Sequence, residues 1–378
     1  MKSPVCSHNG FDPLEEVIVG KGVPGDLPRL DFAFKLFFHD NIYGSKWTSK
    51  SWSEQKYELS NYITDKHVNE HEEDIENFVQ LLLSHNITVK RPKQPQKIST
   101  VKTNLWESKN HPALTVRDLT LIVGDRIIET PPVLRYRYFE NDYLRHIFLD
   151  YFKRGAKWIQ APKPLMLDKS FDLSRISNNN DPESLEYYEN QRSIDDNYMN
   201  CGIEMMFDAA NCHRLGKHIL FNASDENSRL GVQWLKGVLG PEYTIWEIDI
   251  ADNHMDSAIL PIRPGLLMIT IPEIISKLPP ELQKWDMIIV PNATRERNRR
   301  EIYTKLTSTK IYANILSIDH NTIICHPEMV KSMNQTFKKY NIDAIPCQMR
   351  HCRLFNGAHH CLTLDIRRQG QLENYFND

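Results

Sequence analysis

Apolar positions recur along this chain in the rhythm of a helix, then a stop, then a short strand. Ile75, Phe78, Val79, Leu82 and Leu83 fall at i, i+3, i+4, i+7 and i+8, one face of a helix. Asn86 ends that pattern and Ile87 opens a strand. Leu144, Ile147, Phe148 and Tyr151 form a second stripe that ends at Gly155, with Trp158 and Ile159 beyond it. The helical pattern of 230–239 ends at Gly240 before Tyr243-Thr244-Ile245-Trp246. Val330, Met333, Phe337 and Tyr340 end at Asn341 before the apolar run of 342–345. Four such units, with no visible identity between them, predict an α/β fold built of similar modules.

Shorter apolar runs fill the intervals. A turn at Asp12-Pro13 feeds Leu14-Glu15-Glu16-Val17-Ile18-Val19, which stops at Gly20 and reads as a buried strand. Thr120-Leu121-Ile122-Val123-Gly124 reads the same way. Periodicity leaves a doubly wound sheet and a propeller of modules both open, although no Gly-x-Gly-x-x-Gly opens any of these helices. Two stretches break the rhythm. Residues 27–57 are rich in aromatics without a clear period, as in a cleft lining or plain core. Residues 172–200 are polar and read as an exposed insertion.

The chemistry gathers near the C-terminus, in Asn356-Gly357-Ala358-His359-His360-Cys361-Leu362-Thr363-Leu364-Asp365-Ile366-Arg367-Arg368. A glycine-containing turn delivers Cys361 to the mouth of a strand that alternates apolar and polar from Leu362. A rigid strand fixes the sulfur while the turn leaves room for a substrate. A thiol needs a nearby base or cation to ionise at neutral pH. His360 is adjacent, but neighbours on extended chain point to opposite faces, so a distant histidine is the better base. The residue types also allow a buried structural cysteine, or a metal site from His351, Cys352, His359, His360 and Cys361, whose spacings match no zinc pattern.

Three further segments carry candidates. Phe207-Asp208-Ala209-Ala210 places a carboxylate between an aromatic and two small residues, where a helix cap is the ordinary role. His254-Met255-Asp256 sets two polar groups two apart, on one face if the chain is extended there. Arg117-Asp118 precedes a strand and reads by itself as a local ion pair.

Taken together, these motifs and their order resemble the glycine amidinotransferase family, which includes inosamine-phosphate amidinotransferases. The resemblance covers nearly the whole chain. It implies one catalytic domain over 1–378, the five-bladed α/β propeller of the pentein superfamily, made of ββαβ-type modules around a central active site. It implies transfer of an amidino group from a guanidine donor, by default L-arginine, to a primary amine through an amidino-cysteine. Cys361 is then the nucleophile, His254 the general acid/base and Asp208 its orienter. Asp118 and Asp256 grip the guanidinium, and Arg117 and Ser308 join the substrate-binding set. No cofactor or metal is implied, and a homodimer is compatible with the family.

The chain departs from the family pattern at Met205, where proline is usual, and in the turn 356–359, where glycines and a phenylalanine are usual. Glu273 and Pro112 fall where the family carries an arginine and a tyrosine for the donor carboxylate. A water-using pentein hydrolase and a catalytically silent binding relative therefore stay open as alternatives.

Composition narrows the partners. With 46 basic and 49 acidic residues the net charge is −3, which gives no reason to expect nucleic acid or an anionic membrane. No apolar run reaches membrane length, and Met1-Lys2-Ser3-Pro4-Val5-Cys6 opens without a hydrophobic signal core. Seven scattered cysteines in a chain of 378 residues do not form a disulfide framework. The expectation is a cytoplasmic enzyme acting on small molecules.

Overall fold

The computed structural model describes residues 3–22, 31–37, 64–94, 97–174, 176, 182–194, 197–251, 254–291, 313–352 and 354–376. Ser308 and most of the aromatic stretch 27–57 lie outside the described residues.

In chain order, β1 (Leu14–Val19) is followed by α1 (Phe32–Phe37), α2 (Asp65–Ser84) and β2 (Thr88–Lys90). A hairpin of β3 (Thr100–Lys102) and β4 (Glu107–Lys109) stands apart from the repeating units. The next unit is β5 (Thr120–Val123), β6 (Arg126–Glu129), α3 (Arg145–Lys153) and β7 (Lys157–Gln160). After α4 (Pro182–Ile194) comes β8 (Cys212–Leu215), β9 (His218–Asn222), α5 (Glu226–Leu239) and β10 (Thr244–Ile248). The fourth unit holds β11 (Ile259–Arg263), β12 (Leu266–Ile269), α6 (Pro280–Gln283) and β13 (Asp286–Ile289). The chain finishes with β14 (Leu316–Ser317), β15 (Thr322–Cys325), α7 (Pro327–Lys339), β16 (Asp343–Pro346) and β17 (Thr363–Arg368).

Five three-stranded sheets result, all wired alike: an antiparallel pair, then a crossover to a parallel third strand. In one of them β17 pairs antiparallel with β1, and β1 runs parallel to β2, so the last strand closes the ring on the first. This is the five-bladed α/β propeller. Each blade puts one edge strand inward: β5, β8, β11, β14 and β17. Neighbouring inner strands touch, β17 with β5 and β8 with β11.

The four stop residues read from the sequence all take left-handed backbone, with φ of 60° at Asn86, 101° at Gly155, 77° at Gly240 and 53° at Asn341. Glycine and asparagine tolerate that conformation best, and it ends a helix by turning the chain back toward the sheet. Ile75, Phe78, Val79 and Leu82 are buried as the stripe predicts, whereas Leu83 is 46% exposed. Eight residues advance 800° around a helix, so Leu83 lies 80° off Ile75 and misses the core. The fourth unit shows no helical period in the sequence because its crossover has no long helix. It consists of a 3-10 segment, Pro272–Lys277, and the single turn α6.

The described part of 172–200 is not a plain exposed loop. Leu173, Ile176 and Tyr188 are buried, and the Tyr188 ring packs edge-on against Phe32 of α1 at 5.5 Å. The polar composition hid this because one aromatic and a few aliphatics suffice to anchor a short helix whose other side stays wet. Among the described residues no helix is long and apolar enough to cross a membrane.

Candidate active site at the mouths of the inner strands

Each blade delivers its candidate residues at the same place, in the few positions before its inner strand. Asp118 precedes β5, Asp208 precedes β8, His254 and Asp256 precede β11, Asn314 precedes β14 and Cys361 precedes β17. The ring symmetry therefore converges five separated segments on one end of the axis. Five of the six, Asp118, Asp208, Asp256, Asn314 and Cys361, are no more than 2% exposed, and His254 is partly exposed.

Asp208 occupies the N-cap position of a 3-10 turn, Ala209–Asn211, yet its side chain makes no cap hydrogen bond. Instead Oδ2 lies 2.8 Å from His254 Nε2. Phe207 fixes this segment: its ring is buried against Phe221 at 5.1 Å and fits over Gly231 of α5, where a Cβ would stand 2.3 Å from the ring. His254 Nδ1 lies 3.7 Å from Asp118 Oδ2. Burial opposes a charge on this imidazole, but the carboxylates Asp118, Asp208 and Asp256 outweigh it and raise the pKa to about 9. Phe37 of α1 packs edge-on against the imidazole at 5.9 Å, so the aromatic N-terminal stretch reaches the site.

His254 and Asp256 do converge, though not by strand alternation. His254 is extended, and Met255–Ser257 forms one turn of 3-10 helix. Asp256 Oδ2 collects three contacts: Cys361 Sγ at 3.1 Å, Asn314 Nδ2 at 3.0 Å and His360 Nδ1 at 2.8 Å. Against its own burial, His360, His254 and the Cys361 thiol hold the carboxyl well below the usual range. Asp118 Oδ2 accepts from Arg137 Nη1 at 2.7 Å, and Arg137 is clamped in turn by Glu140 at 2.6 and 2.8 Å. Burial pushes the Asp118 pKa up, opposed by His254 and Arg137.

The outer oxygens of the two carboxylates are in an unusual state. Asp118 Oδ1 and Asp256 Oδ1 are both buried and find no hydrogen-bond partner among the described residues. Uncompensated buried carboxylate oxygens are costly, and a planar cation with a fork of N–H donors is the ligand that satisfies a pair of them. Beside them lies the thiol. Burial and the Asp256 and Asp118 charges push its pKa far above the ordinary thiol range, with the Asn314 hydrogen bond working in the other direction.

Arg117 is not part of this front. Its guanidinium donates to the His360 carbonyl at 2.9 Å, to Thr363 Oγ1 at 3.3 Å and to Asp365. Asp365 also binds Arg214 and Arg368, so three buried guanidiniums share one carboxylate beneath the cysteine turn. Arg117, Arg214, His213, Ser317 and His360 line a small cavity there. The expected Arg117–Asp118 pair fails because adjacent side chains diverge, and Arg137 takes the place beside Asp118. Sequence reasoning missed Arg137, Asn314 and the role of His360 as a ligand of Asp256. A signal existed for Asn314: like Asp118 and Cys361, it stands two residues before an inner strand.

The five residues weighed as metal ligands are dispersed. His351 Nε2 meets Glu70 at 2.7 Å, and His359 Nε2 meets the Cys347 carbonyl at 3.1 Å. Among the described residues no group of three or more histidines, cysteines and carboxylates is placed to hold a metal ion. None of the seven cysteines is in a disulfide.

No family model matches the sequence. Full-length relatives do. Inosamine-phosphate amidinotransferase 1 of Streptomyces glaucescens is 30% identical over 99% of this chain and 99% of its own length. The mitochondrial glycine amidinotransferase of Xenopus laevis is 31% identical over 99% of this chain and 85% of its own. The solved inosamine-phosphate amidinotransferase of Streptomyces griseus superposes with a TM-score of 0.79 at 28% identity, covering 99% of this chain and 100% of that one. Similarity that runs from end to end, on the same propeller, places the chain in the amidinotransferase family.

Proposed function

We propose that this amidinotransferase takes its amidino group from L-arginine, releasing ornithine, and passes it to a primary amine of a specialised biosynthetic pathway. The observation that carries the reading is the pair of buried oxygens without a partner among the described residues, Asp118 Oδ1 and Asp256 Oδ1, on the two carboxylates whose charges act on the Cys361 thiol. Two carboxylates matched to the N–H fork of a guanidinium orient its central carbon toward sulfur.

The steps follow from the charges in place. The donor cation offsets the two carboxylates that keep Cys361 protonated, so its binding releases the thiol proton to solvent. The thiolate attacks the guanidinium carbon and an S–C bond forms. His254, an imidazolium at neutral pH, gives its proton to the leaving nitrogen as the C–N bond breaks, and ornithine departs. The cationic amidino-cysteine remains between Asp118 and Asp256. The acceptor amine then enters, neutral His254 takes its proton, and nitrogen displaces the thiolate. Asp208 keeps the imidazole aimed through both halves.

Feeding arginine labelled in its guanidine carbon to the protein, alone and with a panel of amines, tests the reading. The expected results are a Cys361 adduct heavier by one amidino group, ornithine, and a new labelled guanidine. Citrulline as the main product with every amine present would replace transfer by hydrolysis. The relatives' names, one for an inosamine phosphate and one for glycine, make aminocyclitols and amino acids the first acceptors to screen.

A further inference from the structure

Asn314 sits at the mouth of β14, 1% exposed, and both ends of its amide are spoken for. Oδ1 accepts the backbone N–H of Cys361 at 2.9 Å and of Ala358 at 3.2 Å. Two donors at one end fix which end is oxygen. The NH2 group is thereby forced toward Cys361 Sγ at 3.0 Å and Asp256 Oδ2 at 3.0 Å. An amide nitrogen carries two hydrogens, and here each has an acceptor.

The resting thiol also lies 3.1 Å from Asp256 Oδ2 and can give its proton there. Once the thiol ionises that bond is gone, and Sγ and Oδ2 become two anions in contact. Among the described residues the donor that remains on sulfur is the Asn314 N–H, and its sister N–H binds the opposing carboxylate. We infer that Asn314 is a catalytic residue: it donates to the Cys361 thiolate and bridges it to Asp256, making the nucleophile's charge tolerable in a site otherwise walled by carboxylates. This deepens the transfer reading and rests on it for the word catalytic. The same amide holds the 358–361 turn through Oδ1, so one side chain couples the nucleophile's position to its ionisation.

The two roles separate by substitution. Asn314→Asp keeps an oxygen for the backbone N–H groups and removes the donor to sulfur. Asn314→Leu removes both. Cys361 alkylation by iodoacetamide is followed against pH in donor-free protein, with the Cys361 peptide quantified by mass spectrometry so that the other thiols do not intrude. A hydrogen bond to a charged group predicts that Asn314→Asp shifts the ionisation upward by about one to two pH units. The same loss predicts a fall in kcat/KM of about ten- to a hundredfold at neutral pH. The new carboxylate raises the thiol pKa by its own charge as well, so the shift counts for the inference only where the side-chain amide 15N resonance of Asn314 in the native chain titrates with Cys361, and a native alkylation profile in Asn314→Asp overturns it. If Asn314→Asp does not fold, the side-chain amide 15N resonance of Asn314 in the native chain decides. It must titrate with Cys361, and a resonance that stays fixed as the thiol ionises refutes the contact. Since alkylation needs no donor, an unreactive arginine would count against the transfer reading and leave this test standing.

Discussion

Cys361 Sγ rests 3.1 Å from Asp256 Oδ2, so the proposed nucleophile is kept beside a negative charge and waits as a thiol. A cation that neutralises Asp256 and Asp118 is the natural trigger for ionisation. Binding of arginine at neutral pH is therefore expected to release about one proton per site. Calorimetry in buffers of different ionisation enthalpy measures it. Cys361→Ala should bind the donor, release no such proton and transfer nothing. Equal proton release by native protein and Cys361→Ala would contradict the trigger.

His254 carries the opposite bias, since its carboxylate neighbours hold the pKa at about 9 against an ordinary 6.5. A raised pKa means that protonation stabilises the fold. That contribution is full below pH 6.5 and disappears as pH rises through about 9. The native chain should lose thermal stability relative to His254→Gln across that window, and parallel melting curves at each pH would refute it. In kinetics, His254→Ala should lower kcat by about 10²–10⁴-fold, as for other general acid/base residues.

Asp118 and Asp256 should differ in what their amides do. Asp256→Asn loses a charge that touches the thiol and, in the proposed mechanism, the donor, so kcat and donor affinity should fall together. Asp118→Asn chiefly removes half of the guanidinium clamp, and it also removes the leading cause of the high His254 pKa. Its donor KM should rise at least about tenfold, and the alkaline limb of its pH–rate profile should move to lower pH. A KM and a profile like the native ones would remove Asp118 from the donor site.

How much of the site is legible in the sequence follows from this arrangement. Cys361, His254, Asp208, Asp118 and Asp256 stand in short motifs that each read alone as ordinary structure, and it is the resemblance of the motifs and their order to a known family that singles them out. Asn314 stands in Ala-Asn-Ile-Leu, whose one signal is its place two residues before an inner strand, and that place gains meaning only when the ring brings it to sulfur. The choice between Arg117 and Arg137 was equally hidden. It depends on which guanidinium can reach Asp118 across 19 residues of chain, a tertiary outcome that adjacency misrepresents. Arg263, a nearby arginine that could be asked to hold the donor carboxylate in place of Glu273 and Pro112, sits at the far end of β11, four residues beyond the start of that strand.

The axial charge cluster gives a stability prediction. Asp365 is fully buried between Arg117, Arg214 and Arg368, which hold its carboxyl well below the usual range. Removing the charge leaves three guanidiniums without their shared counter-ion. Asp365→Asn should cost about 3–5 kcal/mol in urea unfolding, the usual effect of breaking a buried ionic group from one side. A loss below about 1 kcal/mol, the level of an exposed pair, would mean that water reaches the cluster.

The far end of the donor gives the last prediction. Glu273 lies exposed on the 3-10 segment Pro272–Lys277, where its charge would repel a carboxylate rather than hold one. Pro112 is buried and has no N–H to offer. Arg263 is committed elsewhere: Nη2 donates to the Tyr340 carbonyl at 2.6 Å, and Nη1 to the His320 carbonyl at 3.3 Å and to Asn321 at 3.1 Å. Its distance along β11 agrees, because four residues of strand span roughly 13 Å. None of the three can serve as a strong anchor for the α-carboxylate of arginine. Agmatine has the same guanidinium and chain without that carboxylate. It should therefore lose less kcat/KM relative to arginine here than in a glycine amidinotransferase assayed alongside, because a binding group that makes no ionic contact costs little when removed. Asp118 and Asp256 would then carry donor recognition almost alone, and Asp118→Asn should weaken arginine and agmatine by similar factors. A loss with agmatine as large as in the glycine enzyme would show that another residue supplies the anchor, and substitutions of the remaining arginines, read by whether they abolish the preference for arginine over agmatine, would locate it.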